Sequence, residues 1–202
     1  MARKRSTLQR SALWIAMLVL FPAAAEAARI DYSLGGWVEH SDNIGLTESD
    51  PDEESTLGTS VDFNIDQTGR DSTLVARGGV EYLYYTGNVY DDDVRATLIG
   101  QFNMNTLNDR LTFVLEDYAS YEPIDYLSAN APGNQQQVNV FVAGVSANLR
   151  PGSGSGIRAD VRYNNYWAEE TDDFNGDRYN VAFTLWQEPS ATTRIAATVE
   201  GS

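Results

Sequence analysis

The sequence predicts an all-β fold: an up-and-down antiparallel β-barrel of the kind that spans an outer membrane. Three observations predict it. Apolar and polar residues alternate with period two through most of the chain. The connections between the alternating segments are by turns long and short. Beyond residue 27 no apolar run is long enough to cross a bilayer as a helix. A chain entering a membrane there has to enter as strands, closed on themselves so that no peptide group is left unpaired in hydrocarbon. The 202 residues suit one domain, and 42% of them are hydrophobic, too many for a disordered acidic chain.

Residues 1–27 read as a secretory signal peptide. Arg3, Lys4, Arg5 and Arg10 form a basic start, and Ala12 to Ala25 is uncharged and mostly apolar. Ala25-Glu26-Ala27 fits the small-x-small cleavage pattern. The apolar run is short for the ~20 residues of a spanning helix, and Pro22 interrupts its end. Residues 28–202 are then the barrel domain, exported through the inner membrane and placed in the cell outer membrane.

Nine strands are expected. The first runs over 29–39 with Ile30, Tyr32 and Leu34 on one face. The second covers 55–66, where Leu57, Val61, Phe63 and Ile65 alternate with Ser60, Asp62, Asn64 and Asp66. The third covers 72–85, setting Leu74, Ala76, Val80, Tyr82 and Tyr84 against Arg77, Gly79 and Glu81. In the fourth, 94–105, Leu98 and Phe102 oppose Arg95 and Gln101. In the fifth, 110–121, Leu111, Phe113 and Leu115 oppose Thr112, Glu116 and Ser120. The sixth, 138–149, is apolar on both faces near its start. The seventh, 157–168, alternates most clearly, with Ile157, Ala159, Val161 and Tyr163 against Arg158, Asp160, Arg162 and Asn164. The eighth covers 178–186, and a ninth starts near Thr193 and is still running at Val199.

Long or acidic connections span 41–54, 86–93, 122–137 and 169–177, and short ones span 67–71, 106–109, 150–156 and 187–192. Thr68-Gly69, Asn108-Asp109 and Pro151-Gly152 supply turn chemistry to the short set. A meander puts the two sets at opposite ends of the sheet. Trp37, Tyr82, Tyr84, Tyr118, Tyr163, Trp167 and Tyr179 fall toward the long-loop ends of their strands. Tyr32, Phe63, Phe102, Phe183 and Trp186 fall toward the short-turn ends, as two interfacial belts would require. Arg77, Glu81, Arg95, Glu116, Arg158, Asp160 and Arg162 share the polar phase and are the expected lumen-facing charges.

The run Ser41-Asp42-Asn43-Ile44-Gly45-Leu46, with acidic residues and a strand after it, resembles the N-terminal part of a known family. It is similar to the outer-membrane β-barrels associated with PEP-CTERM and exosortase systems, whose genes commonly stand near exopolysaccharide genes. Leu115-Glu116-Asp117 is also similar to a strand end of that family. The resemblance implies a non-enzymatic barrel whose partners are outer-membrane lipid, lipopolysaccharide, and exopolysaccharide or export-system proteins. It carries over no catalytic residues. Such barrels are usually longer and end on a strand with a terminal aromatic residue, whereas this chain ends Val199-Glu200-Gly201-Ser202. The sheet is therefore expected to be incomplete at its C-terminal side.

Composition narrows the chemistry. A net charge of −15, from 14 basic and 29 acidic residues, argues against nucleic acid as a partner. With no cysteine and a single histidine, His40, thiolate and multi-histidine metal sites are excluded. The acidic clusters Glu48–Glu54 and Asp91–Asp93 read as solvated loops rather than cation sites. Asp173 to Asp177 lacks the first-position Asp and twelfth-position Glu of a calcium loop, with Thr171 and Ala182 there. His40 has Ser41 and Asp42 beside it, but neighbours in an extended chain point to opposite sides, so they form no triad. No catalytic, cofactor or metal residue is assigned. The expected function is a structural or conduit component of an exopolysaccharide or surface-protein export system. A porin-like channel for small solutes and a soluble secreted β-sandwich adhesin are the alternatives.

Overall fold

The computed structural model describes residues 28–202 apart from 153 and 191, and all but the side chain of Phe174. The expected signal peptide lies outside the described residues. Nine strands form one antiparallel sheet in sequence order. They are β1 (Arg29–Ser41), β2 (Glu54–Thr68), β3 (Ser72–Tyr85), β4 (Asp93–Thr106), β5 (Leu111–Pro123), β6 (Gln135–Gly152), β7 (Ser155–Ala168), β8 (Gly176–Ser190) and β9 (Thr193–Gly201). The only helical pieces among the described residues are short 3₁₀ turns at Pro132–Asn134 and Asp172–Phe174, both in long connections. Each strand packs on its sequence neighbours, and no second layer covers the sheet among the described residues. β1 and β9 are the two edges, so the sheet is open.

Two short connections are tighter than the sequence predicts. β6 runs on through Pro151 to Gly152, and β8 runs on through Pro189 to Ser190. A register shift between Leu149 and Gly152, and another between Gln187 and Ser190, absorbs the extra residues as bulges. Bulges of this kind collect at barrel rims because they end pairing without breaking the hairpin. The turn between β4 and β5 places Leu107, Asn108 and Asp109 all at positive φ (53°, 56° and 60°). Asn and Asp tolerate that region through local side-chain hydrogen bonding, whereas leucine there is uncommon.

Register fixes which side chains share a face. Gly35 pairs with Ser60, Ser60 with Glu81 and Glu81 with Arg95. Gln101 pairs with Glu116, Ser146 with Asp160, and Asn148 with Arg158. Followed strand by strand, these rows put all seven expected charges, Arg77 to Arg162, on one polar face. The other face carries the apolar phase. Apart from Trp37, Ile99 and Tyr166, every large hydrophobic strand residue left exposed among the described residues stands on it. Three aromatic residues depart from the expected belts, because Trp37, Tyr118 and Trp186 stand on the polar face.

The two faces differ in crowding. On the polar face a Cβ at Gly58 would collide with the Trp37 ring, and one at Gly156 with the Trp186 ring. At Gly144 it would meet the Arg162 side chain, and at Gly79 the Asp62 carboxylate. On the apolar face the nearest atoms to a Cβ at Gly36 and Gly100 are 3.8 and 3.6 Å away. Gly78 is the apolar-face exception, held against the Thr97 carbonyl by backbone. Side chains converge on the inside of a curved sheet and diverge on its outside. The polar face is accordingly the inner one, and glycines open the space for its long side chains.

Gly58→Ala should therefore drive Trp37 from its place and cost about 1–3 kcal/mol by overpacking. Gly36→Ala should cost nothing or stabilise slightly, because alanine loses less freedom on folding. Urea-unfolding midpoints of the two variants compare them, and equal losses would mean that the polar face is not the crowded side.

Candidate functional site

The inner face is a set of local polar pairs. The Trp37 indole N–H lies over Gly58 and donates to Glu81 at 2.9 Å, spanning from β1 to β3. Arg77 donates to Asn64 at 3.0 Å, and Asn64 in turn donates to Asp66 at 2.9 Å. Gln101 donates to the Tyr118 hydroxyl at 2.8 Å, and that hydroxyl donates to Glu116 at 3.1 Å. On β7 the Arg158 guanidinium holds Asp160 through two bonds of 2.7 and 2.9 Å. Ser146 also donates to Asp160 and accepts from Arg162 at 3.3 Å. Arg158, Asp160 and Arg162 are thus brought together. Arg77, Glu81 and Glu116 each find separate partners. Arg95 pairs in register with Glu81, yet its guanidinium turns to Asp93 at 3.0 Å.

Arg95 turns there because β4 and β5 part near the long loops. Their pairing begins only at Leu98 and Ala119, although β4 starts at Asp93 and β5 continues to Pro123. Side chains fill the opening. The Gln137 amide accepts from the Ala96 N–H at 3.2 Å and donates to the Ala96 and Ser120 carbonyls, both at 2.9 Å. It stands in for the missing peptide partner. The Tyr121 hydroxyl donates to Asp93 at 3.2 Å, and Arg95 lies 5.0 Å from the centre of the Tyr121 ring.

Gln135 and Gln136 are hooks of the same kind. Gln135 donates to Asn130 at 3.0 Å. Gln136, only 5% exposed, accepts from the Glu170 and Thr171 N–H groups, both at 3.1 Å. The sequence places these three glutamines at the end of a loop. The structure makes them the first residues of β6, each tying down a different segment. Three glutamines in a row were the one available signal, and it carries no periodicity.

The long loops fold onto the inner face. In the first, Asn43 accepts the Thr47 N–H at 3.0 Å and donates to the Thr47 carbonyl at 2.8 Å. Ser41 accepts the Asn43 N–H at 3.2 Å, so the Ser-Asp-Asn run builds a side-chain-closed turn. Tyr90, in the second loop, packs on Tyr85 with ring centres 5.7 Å apart. A Cβ at Gly133, in the third loop, would sit 3.2 Å from the Tyr90 ring, and one at Gly45, in the first, 3.5 Å from its hydroxyl. Three loops therefore meet at one tyrosine.

Glu54 fixes the second loop to the rim. The sequence places it in an acidic loop, but it is the first residue of β2 and only 2% exposed. Its carboxylate accepts the N–H groups of Ser55 at 2.9 Å, Gly87 at 2.5 Å and Val89 at 3.0 Å. Burial pushes its carboxyl up, but those three donors and the Thr86 hydroxyl outweigh it and hold the group below the ordinary 4.5. In the third loop, the Ser128 hydroxyl and the Leu127 N–H hold Asp125 below its usual range.

His40 stands at the long-loop end of the apolar face. Its Nδ1 is 3.0 Å from the Ser55 hydroxyl, and its Nε2 is 3.6 Å from Glu53. Neither Ser41 nor Asp42 is its partner. The His40 and Glu53 side chains are 57% and 75% exposed, and 3.6 Å is beyond hydrogen-bond reach, so the trio has no built pocket in which to hold a substrate. No group of three or more His, Asp or Glu is placed to hold a metal ion among the described residues.

One recess stands on the inner face where these parts meet. It has a volume of ≈ 250 Å³, lies under the first and third loops, and is lined by Trp37, Glu39, Leu83, Tyr85, Arg95 and Gln135 among others. Comparison with protein-family models, with curated proteins and with solved structures found no match.

The Glu54 clamp has a signed pH dependence. Its carboxyl is depressed in the folded chain, so the clamp is complete above 4.5 and is lost as pH falls through the lower folded value. Hydrogen exchange at the Gly87 and Val89 amides should show protection at neutral pH that fades in acid. Glu54→Ala should remove it at every pH; unchanged protection in that variant would show the clamp to be idle.

Proposed function

We propose that this chain is an outer-membrane β-barrel protein, a non-enzymatic structural or conduit component of an envelope system that exports exopolysaccharide or surface proteins. The observation that carries this reading is the segregation of the two faces. The outer face exposes Leu34, Val61, Val80, Phe113, Val161 and Val181 in adjoining rows. A continuous apolar face of that kind is unstable against water and at home against lipid tails. On the inner face Asp66, Glu81, Glu116 and Asp160 are held by local pairs, as a wet or polar-filled lumen allows.

Strand length and aromatic placement support the same reading. A tilted strand crosses the hydrocarbon in about 9–11 residues. β1 to β8 have 13 to 18. On the outer face Tyr82, Tyr84, Tyr163, Trp167 and Tyr179 stand toward the long loops, and Tyr32, Phe63, Phe102 and Phe183 toward the short turns. Rings that are apolar in body and polar at the tip settle at headgroup level. The lipid-facing surface and the rim are the contacts for outer-membrane lipid and lipopolysaccharide. The export assignment is supported by the resemblance of the Ser41 to Leu46 turn to the exosortase-associated barrels.

The reading also sets a condition on the edges. Unpaired peptide groups in hydrocarbon cost several kcal/mol each. β1 and β9 both have to be paired in a membrane, and they run the same way because the strands between them alternate. Antiparallel closure therefore takes an odd number of strands between β9 and β1.

Fractionation of the producing cells should place the protein in the outer membrane, resistant to carbonate washing. Recovery in the soluble periplasm would contradict the proposal. Within the membrane, Val161→Arg puts a charge against lipid near mid-strand and should cost about 2–4 kcal/mol. Asn164→Arg faces the lumen and should be tolerated. Equal loss of folded, heat-modifiable protein in the two variants would mean that the faces are assigned wrongly.

A further inference from the structure

We propose that the recess at the long-loop end of the inner face binds a neutral saccharide, engaging one sugar ring at a time. The proposal takes the polar face as a water-filled inner surface, as the reading above does; the recess and its chemistry are additional to it. A sugar ring presents a patch of C–H groups on one side and hydroxyls, each both donor and acceptor, around its edge. A site that fits it offers an aromatic or apolar surface beside hydrogen-bonding groups of both kinds and little net charge.

The recess has these parts. Leu83 and Tyr85 are 2% and 3% exposed although they stand on the polar face, because the loops cover them; they form the apolar floor. Trp37 is the exposed ring, at 38%. It is fixed rather than free, wedged over Gly58 with its indole N–H held by Glu81. A ring immobilised in advance loses little entropy when a ligand stacks on it.

The hydrogen-bonding groups are of both kinds. Gln135 Nε2 donates to Asn130 Oδ1 at 3.0 Å, which leaves the Asn130 NH₂ to donate and the Gln135 carbonyl to accept. Glu39 adds a carboxylate with no ion-pair or hydrogen-bond partner among the described residues. Arg95 also lines the recess, and its charge is already balanced by Asp93 at 3.0 Å. An anionic ligand would meet Glu39 without a free cation to offset it, which favours a neutral one. The volume of ≈ 250 Å³ is smaller than the ~300–1,000 Å³ of pockets for drug-sized molecules, so it suits a single ring with the rest of a chain passing outside.

The test uses the protein extracted from its own membrane into lauryldimethylamine oxide, a detergent without a sugar headgroup. Tryptophan fluorescence and calorimetry would follow titration with maltotriose, cellotriose and triacetylchitotriose as neutral probes and trigalacturonate as the anionic one. At least one neutral trisaccharide should bind saturably and more tightly than trigalacturonate. Trp37→Ala should weaken it about tenfold, or 1.4 kcal/mol. Trp37→Phe keeps a ring and should retain most of the affinity. Glu39→Gln should weaken binding less than Trp37→Ala, and Trp167→Phe, on the other face, should leave it unchanged. Binding of no neutral probe, preference for trigalacturonate, or full affinity in Trp37→Ala would overturn the proposal. A protein found in the soluble periplasm that still binds the probes would overturn the membrane assignment and leave the recess standing. A membrane protein that binds none would do the reverse.

Discussion

The register between neighbouring strands is the constraint on which everything else in this structure depends. Side chains alternate with period two, so a slip of one residue in any pair would carry a whole strand's apolar set to the polar side. The pairing of Val61 with Val80, and of Val145 with Val161 and Val161 with Val181, keeps β-branched residues in rows on one face. The same register delivers Glu81 to Trp37's side and Asp160 to Ser146's side on the other. Backbone pairing supplies the sheet, but the hydrophobic pattern selects which pairing occurs.

Curvature follows from how the two faces are filled. Large side chains on the polar face lie across glycines on the adjoining strand, as Trp37 does over Gly58 and Trp186 over Gly156. That arrangement crowds the polar side while the apolar side has room to spare. At the long-loop end the crowding becomes a cap. Glu54 holds the second loop to the start of β2, and Tyr90 in that loop meets the first and third. Leu83, Tyr85 and Glu54, among the most buried residues of the sheet, lie under this cap.

Much of this was legible in the sequence, because alternation is a local signal. All nine strands, the long and short connections and the common face of Arg77, Glu81, Arg95, Glu116, Arg158, Asp160 and Arg162 follow from period two and turn residues alone. What was not legible depends on contacts between distant residues. Gln137 reaches Ala96, 41 residues away, because β4 and β5 part, and nothing in either segment announces the gap. Glu54 looks like one acid among several, and only the approach of residues 86–89 makes it a buried clamp. Trp37, Tyr118 and Trp186 match the belts by position along the strand but not by parity, and parity places them inside. The sequence predicts loops over 150–156 and 187–192, but the strands run on through Pro151 and Pro189, because each proline stands at a bulge where no ladder donor is needed.

The central claim is that the apolar face meets lipid and the polar face meets water. The chain has no cysteine, so single cysteines can be introduced one at a time along β7 and spin-labelled in the envelope fraction that holds the protein. Collision rates with oxygen, which concentrates in lipid, and with a water-soluble nickel complex report the surroundings of each label. The account predicts oxygen access at Ile157, Ala159, Val161 and Tyr163, nickel access at Arg158, Asp160, Arg162 and Asn164, and a clean alternation between them. Uniform nickel access along the strand, or alternation in the opposite phase, would contradict it.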